Sequence, residues 1–340
     1  MDGPDAPIPV NIITGFLGSG KTTLLQRLLA SPRLSNTAVL INEFGEVGLD
    51  HLLLRRIDGE TMVLESGCVC CTIRDDLGAA VRDLYSKRTR GDVPAFDRIV
   101  IETTGLADPA PIIFTMMADP VLKYHVRLGN VVTTVDAVNA PLHLAANPES
   151  VKQVAVADRL VLTKTDLCDQ ADVAAVRAAL RDINPAAALY DTSQTFDPVE
   201  LIASDLHDPD RKAAEVAHWL EHEGAPTNAS RHDHDIYSFC LTFDEPLDWT
   251  AFGLWLSMLL HAHGEKVLRV KGLLNVADLA APVVIHGVQH LVHPPVHLDA
   301  WPSDDRRSRI VFIVRGLERG AIERSLAAFN GMADRPSKAA

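Results

Sequence analysis

Apolar positions in this chain come in short unbroken runs separated by amphipathic stretches. Ile8-Pro9-Val10-Asn11-Ile12-Ile13-Thr14 is a β-branched run that predicts a buried strand. Thr23–Leu29 is apolar-rich and predicts a helix that stops near Pro32. Ala38–Ile41 lacks polar alternation and predicts a second buried strand. Thr61–Leu64, Arg98–Ile101, Val131–Asp136 and Asp158–Leu162 read the same way. Helical stretches follow Asp75-Asp76, through Leu77, Val81 and Leu84, and follow Pro109, through Ile112, Ile113 and Met116. Helix and strand continue through Val173–Asp182 and Ala187–Thr192, then Pro198–Ile202 and an acidic helix near Ala213–Glu221. Gly224-Ala225-Pro226-Thr227-Asn228-Ala229-Ser230 carries the composition of a linker. Beyond it the pattern changes to strand Ile236–Phe243, helix Asp248–His263, strands Val267–Leu274, Val283–Val292 and Ile310–Gly316, and helix Arg319–Phe329. The expectation is an α/β unit over 1–224, with a mostly parallel sheet flanked by helices. A linker over 225–235 and a smaller α+β unit over 236–332 follow.

Composition narrows the partners. The chain has 340 residues, 47% hydrophobic and 23% charged, which suits two globular domains. Its formal charge is -13, from 45 acidic and 32 basic residues. That argues against a nucleic-acid backbone or an anionic membrane as partner, since both demand basic surface. No apolar run approaches a membrane span, and Met1-Asp2-Gly3-Pro4-Asp5 has neither the basic region nor the apolar core of a secretory signal. The cytoplasm is the expected compartment.

The first strand–helix pair brackets Gly15-Phe16-Leu17-Gly18-Ser19-Gly20-Lys21-Thr22, which fits G-x-x-x-x-G-K-[ST]. A glycine-rich turn without a ligand is the alternative, and the flanking strand and helix disfavour it. Glycines let backbone N–H groups wrap phosphates, and the helix N-terminus adds partial positive charge. Lys21 would reach the β- and γ-phosphates and the Thr22 hydroxyl would sit on Mg²⁺.

Three further stretches add chemistry. Asn42-Glu43-Phe44-Gly45-Glu46-Val47-Gly48 follows the second strand and suits a switch loop, or else an acidic surface turn. Cys68-Val69-Cys70-Cys71 holds three of the 5 cysteines within four positions. Soft thiolates at that spacing suit Zn²⁺ or Cu(I), with a fourth ligand from elsewhere; a redox-sensing cluster is the alternative. The strand ending Glu102-Thr103-Thr104-Gly105 resembles a Walker-B strand. Glu102 would act on the Mg²⁺ shell and Gly105 would offer a backbone N–H to the γ-phosphate.

Thr163-Lys164-Thr165-Asp166 resembles the N-K-x-D tetrad that reads guanine. An Asp carboxylate can accept from both N1 and N2 of guanine, and adenine has no matching pair of donors. Lys164 would lay its stem along the base. Thr163 stands where Asn is usual. The C-terminal part is rich in histidine: His232, His234, His261, His263, His286, His290, His293 and His297. Solvent-facing or core-satisfied roles are the simpler reading, with a relay or secondary metal site as the other. His286 and His290 are expected on one face of a strand.

Taken together, GFLGSGKTT, NEFGEVG, GCVCCTIR, ETTGLADP, TKTD and LRVKG resemble the CobW-like family of P-loop GTPases, from Ile8 to about Phe329. That family includes nitrile hydratase activators and zinc metallochaperones. The resemblance implies a P-loop NTPase-type sheet with a CobW-like C-terminal domain, and GTP hydrolysis coupled to metal delivery to a client metalloprotein. It implies that Gly15, Gly18, Ser19, Gly20, Lys21, Thr22 and Thr23 hold phosphates, and that Thr22 and Glu102 order Mg²⁺. Lys21, Glu102 and Gly105 would serve catalysis, and Thr163, Lys164 and Asp166 the base. Cys68, Cys70 and Cys71 would take the metal, most simply Zn²⁺, with Glu43 as an extra ligand. A nucleotide-dependent homodimer is a further expectation. Competing readings are a metal-binding regulator or store with structural nucleotide, a P-loop kinase, and a GTPase assisting cobalt or iron insertion in cobalamin synthesis or nitrile hydratase activation. Turnover that responds to metal or client separates a chaperone from a store, and nucleotide competition separates it from a kinase.

Overall fold

The computed structural model describes residues 7–41, 54–56, 61–64, 69–72, 77–194, 196–197, 199–203, 216 and 236–333. The expected helix near 213–221 (Val216 apart), the linker, and His232 and His234 lie outside the described residues. The chain divides into two compact units, Met1–Val176 with Leu189–Leu206, and Arg177–Ala188 with His207–Ala340.

Among the described residues of the first sheet are nine strands: β1 (Ile8–Gly15), β2 (Thr37–Ile41), β3 (Leu54–Arg56), β4 (Thr61–Leu64), β5 (Val69–Thr72), β6 (Arg98–Glu102), β7 (Val126–Asp136), β8 (Arg159–Thr163) and β9 (Ala188–Asp191). Their order is β3-β4-β5-β2-β6-β1-β7-β8-β9. The run from β5 to β8 is parallel, and β3, β4 and β5 pair antiparallel at one edge. The mostly parallel α/β sheet expected from the sequence is therefore present. Strand β1 is flanked by β6 and β7, so the chain changes direction across the sheet at β1. Ligands bind at the carboxyl ends of strands at such a switch point.

Alternation along the buried strands presents Ile13, Val39, Ile41, Val100, Val132 and Val161 to one face. Leu24, Leu25, Leu28 and Leu29 of the helix Lys21–Leu29 pack there. Each buried leucine contributes about 1.5–3 kcal/mol, which anchors the helix directly behind its glycine loop. Strand β7 begins five residues before the expected Val131. Asn11 Oδ1 accepts the Asn130 N–H at 2.9 Å, where the β1–β7 register shifts between Val10 and Ile12. This polar bulge interrupts the apolar run that the sequence pattern needed. Two helices that the pattern did not predict, Ala140–Ala146 and Pro148–Val156, separate β7 from β8.

The second unit is an antiparallel sheet of β10 (Ile236–Phe243), β11 (Val267–Leu274), β12 (Val283–Val288), β13 (Leu291–Val292), β14 (Val296–His297) and β15 (Ser308–Arg315), ordered β10-β15-β11-β12-β13 with β14 on β12. The helices Trp249–His263 and Arg319–Ala333 pack Phe252, Trp255, Leu260, Ile322 and Leu326 onto Phe239, Val270 and Phe312. Asp248 caps the first of these by accepting the Ala251 N–H at 2.7 Å. Arg269 and Lys271 of β11 are each 1% exposed, and Lys271 Nζ donates to Ala186 O at 3.2 Å. His286 and His290 do not share a strand. β12 ends at Val288, and Gln289 turns the chain with φ 51°. His290 then meets Leu260 O through Nδ1 at 2.9 Å. A non-glycine residue in left-handed conformation is hard to foresee from periodicity.

Candidate functional site

Backbone conformation makes the glycine loop. Gly15 closes β1 at φ 140°, and a Cβ there would stand 2.4 Å from Thr134 O and Oγ1 and 2.7 Å from Ser19 Oγ. Gly18 and Gly20 take φ of 70° and 90°. The helix Lys21–Leu29 starts from Gly20, which has no side chain to cap the first-turn N–H groups. Those donors and the helix dipole suit an anion. Lys21 is buried and its Nζ donates to Phe16 O at 3.3 Å, within the loop itself. Thr23, in the same first turn, is exposed.

Thr22 Oγ1 donates to Glu102 Oε1 at 2.6 Å, and Glu102 is 1% exposed at the end of β6. A hydroxyl and a buried carboxylate thus meet beside the loop, a pair of hard oxygen donors of the kind Mg²⁺ takes. The next residues tie β6 to β1: Thr103 N–H to Ile13 O at 3.0 Å and Thr103 Oγ1 to Thr14 Oγ1 at 2.9 Å. Gly105 then approaches the glycine loop so closely that a Cβ would lie 2.7 Å from Leu17 N. Only glycine fits. Gln153 Nε2 holds this segment by donating to Gly105 O at 3.1 Å and Ala107 O at 2.9 Å, and Lys152 pairs with Asp108 at 3.2 Å.

The tetrad joins the same edge. Thr163 Oγ1 donates to Ser19 O at 2.9 Å and lies 3.2 Å from Val135 O, while Ser19 Oγ and Thr134 Oγ1 are 2.7 Å apart. A hydroxyl at the first tetrad position therefore links the tetrad and the glycine loop across the sheet. Lys164 has φ 58° and its Nζ donates to Asp136 Oδ2 at 2.7 Å. Thr165 Oγ1 bonds Asp191 at 2.7 Å, which braces the turn, and Asp166 is exposed. Burial pushes the Asp136 carboxyl up, but hydrogen bonds from Lys164 and Asn139 outweigh it and hold it below the ordinary carboxylate range.

The structure thus gathers Gly15, Gly18, Ser19, Gly20, Lys21, Thr22, Thr23, Glu102, Gly105, Thr163, Lys164 and Asp166 at the carboxyl ends of β1, β6 and β8. Cys70 and Cys71 lie on β5. Glu43 and Cys68 lie outside the described residues. Among the described residues no group of three or more His, Cys, Asp or Glu could hold a metal ion, the described C-terminal histidines included. Also among them, no helix is long and apolar enough to cross a membrane. Sequence reading missed Asp136, Asn139, His143, Lys152 and Gln153. The Asn147-Pro148 pair, a helix N-cap with Pro at the first position, was the available signal for the helix that carries Lys152 and Gln153.

Comparison with known proteins matches two stretches of the chain. Residues 9–191 match the family described as CobW/HypB/UreG, nucleotide-binding domain, and residues 236–330 match the Cobalamin synthesis protein cobW C-terminal domain. The chain is 33% identical to the zinc chaperone YjiA of Escherichia coli, over 96% of this chain and 99% of that protein. It is 32% identical to the zinc-regulated GTPase metalloprotein activator 1 of Schizosaccharomyces pombe, over 92% of this chain and 84% of that one. Among solved structures, the Zn(II)-bound YjiA GTPase from E. coli superposes with a TM-score of 0.70 at 31% identity, covering 95% and 99% of the two chains.

Proposed function

Because the chain belongs to the CobW/HypB/UreG family of nucleotide-binding proteins, we propose that it hydrolyses GTP to GDP and phosphate and uses the cycle to hand a transition metal to a client metalloprotein. Zinc is the metal we favour, since relatives over the full length are named zinc chaperones. Cys68, Cys70 and Cys71 would take it, with Glu43 completing a tetrahedral set.

Each residue then has a task. The backbone N–H groups from Gly15 to Thr23 receive the phosphates. Lys21 exchanges Phe16 O for β- and γ-phosphate oxygens. Thr22 and Glu102 would hold Mg²⁺, directly and through water, and the ion would neutralise charge that develops on the phosphoryl oxygens. Gly105 offers its N–H to the γ-phosphate. Lys164 stacks on the base and Asp166 accepts the two guanine donors. Leu17, Leu106, Val138 and Leu167 are exposed just after β1, β6, β7 and β8, and Leu142 is exposed on the helix Ala140–Ala146. An apolar collar around a charged site supports a nucleotide-dependent homodimer through this edge.

One observation carries the coupling. Thr72 of β5 is registered beside Ile41 of β2, and Ile41 beside Glu102 of β6. With about 4.8 Å between neighbouring strands, the strand bearing Cys70 and Cys71 ends ~10 Å from the Thr22–Glu102 pair. β2 ends between them at Ile41, and the switch-loop candidate with Glu43 follows it in sequence. A γ-phosphate that reorders this loop would change the zinc ligand set.

Calorimetric titration of Zn²⁺ into the GDP form and into the form bound to a non-hydrolysable GTP analogue tests the reading. The two affinities should differ by about 5–150-fold, and zinc must change nucleotide affinity by the same factor. Replacing Cys68, Cys70 and Cys71 with serine should remove that coupling and leave GTP binding intact. Equal zinc affinities in the two forms would mean that hydrolysis does not drive metal release.

A further inference from the structure

Asp136 ends β7 at 2% exposure and collects four hydrogen bonds. Lys164 Nζ donates at 2.7 Å, Asn139 Nδ2 at 2.8 Å, Val138 N–H at 2.9 Å and Asn139 N–H at 3.4 Å. Its neighbour Ala137 donates its N–H to Thr163 O at 2.9 Å. The turn after β7 and the tetrad after β8 are thus fastened at two points.

Lys164 needs such a fastening. Its φ of 58° is a conformation that a lysine keeps only when its surroundings impose it. Its side chain is 38% exposed, with four rotatable bonds, and the Asp136 carboxylate selects one direction for it. The other end of the same turn opens the helix Ala140–Ala146, whose His143 ring lies 4.6 Å from the Phe16 ring of the phosphate loop. One buried carboxylate therefore touches both the base-reading lysine and the segment that leans on the phosphate loop.

We propose that Asp136 is the positioning residue of the guanine site, holding Lys164 against the base and fixing the base loop relative to the phosphate loop. This rests on the reading of Thr163–Asp166 as the guanine tetrad. Asp136 itself does not touch the nucleotide. It acts through Lys164, and an asparagine in its place would still accept from Val138 and Asn139.

The test compares GDP, ADP and inorganic triphosphate on the full chain and on Asp136→Asn, Lys164→Ala and the double variant. Asp136→Asn should weaken GDP about tenfold, the equivalent of one charge-assisted hydrogen bond. Triphosphate, which has no base, should change by less than about twofold. In the Lys164→Ala background the same substitution should add nothing further. Asp136→Glu keeps the charge and displaces it by one methylene, so it should give the same selective loss at smaller size. It keeps the test open if Asp136→Asn does not fold. Equal losses of GDP and triphosphate, additive losses in the double variant, or no loss of GDP would each overturn the inference. ADP bound as tightly as GDP by the unaltered protein would overturn the tetrad reading instead, and the inference with it.

Discussion

Both the parallel and the antiparallel sheet bury polar side chains, but only the first gathers a group of them at one edge. There Thr14, Glu102, Thr134, Asp136 and Thr163 fall at the carboxyl ends of β1, β6, β7 and β8, while Asn11, Thr37, Asn130 and Arg159 are buried elsewhere along their strands. In the second, Arg269, Lys271 and His286 fall within β11 and β12, where Lys271 and His286 are registered partners. The cause is topological. Parallel strands send every carboxyl end to one edge, so short polar side chains at those ends converge on one volume. Antiparallel strands alternate their ends and have no such edge. There Lys271 is spent on its own unit, donating to Ala186 O. Depth alone therefore does not mark the proposed site in this chain; depth at a shared strand edge does.

Two substitutions made together would break that contrast if it is wrong. Lys21→Ala removes the ammonium that bonds Phe16 O within the glycine loop, and the proposed hydrolysis should fall by at least ~10²–10³-fold, the scale for losing one electrostatic transition-state contact. Its melting temperature should stay close to that of the unaltered protein. Trp255→Ala does the reverse. Trp255 is 2% exposed, packs against Phe252 and Phe312, and donates Nε1–H to Ser325 Oγ at 2.9 Å. Its truncation should cost about 3–5 kcal/mol of stability, while the folded fraction keeps its GTP affinity. Turnover measured beside thermal unfolding would read both. An active Lys21→Ala variant would deny the loop the catalytic role proposed for it.

The contrast also explains which parts could be read in advance. The glycine loop was legible because its backbone angles demand glycine at fixed intervals, and that demand is written in adjacent letters. The two-sheet architecture was legible because apolar runs change character after residue 230. The Thr163–Ser19 bond was not, since it spans 144 residues and a threonine hydroxyl replaces the amide that the tetrad pattern prescribes. Asp136 looked like any acid at the end of an apolar strand; only the Lys164 ammonium 2.7 Å away gives it meaning. The helices Ala140–Ala146 and Pro148–Val156 are 7 and 9 residues long, too short for a clear helical period. His290 was misread because one left-handed residue, Gln289, ends the strand before it.

The smallest expected effect is also the sharpest comparison, because it sets one carboxylate of each unit against the other. Asp136 and Asp305 are both held below the ordinary carboxylate range, for different reasons. At Asp136, burial opposes the charge and hydrogen bonds from Lys164 and Asn139 overcome it. At Asp305, hydrogen bonds from the Arg307 side chain and backbone act first, in a surface cluster that Arg309 joins. A carboxylate lowered on folding contributes stability above its unfolded value, near 3.9, and that contribution fades as pH falls toward the folded value. Asp136→Asn should therefore destabilise the protein by ~1.5–3 kcal/mol at pH 7, the range for a hydrogen bond to a charged group. The gap should close as pH drops below about 4, and added salt should change it less than at a fully exposed pair, because the Asp136 carboxylate is buried although Lys164 is 38% exposed. Asp305→Asn should show a smaller gap with the same sign of pH dependence, and one that salt removes. Denaturant unfolding at several pH values, in low and in high salt, reads all four curves. A gap at Asp136 that salt abolishes as fully as the one at Asp305 would mean that the Asp136–Lys164 pair is a surface contact, and that the two sheets do not differ in how they hold charge.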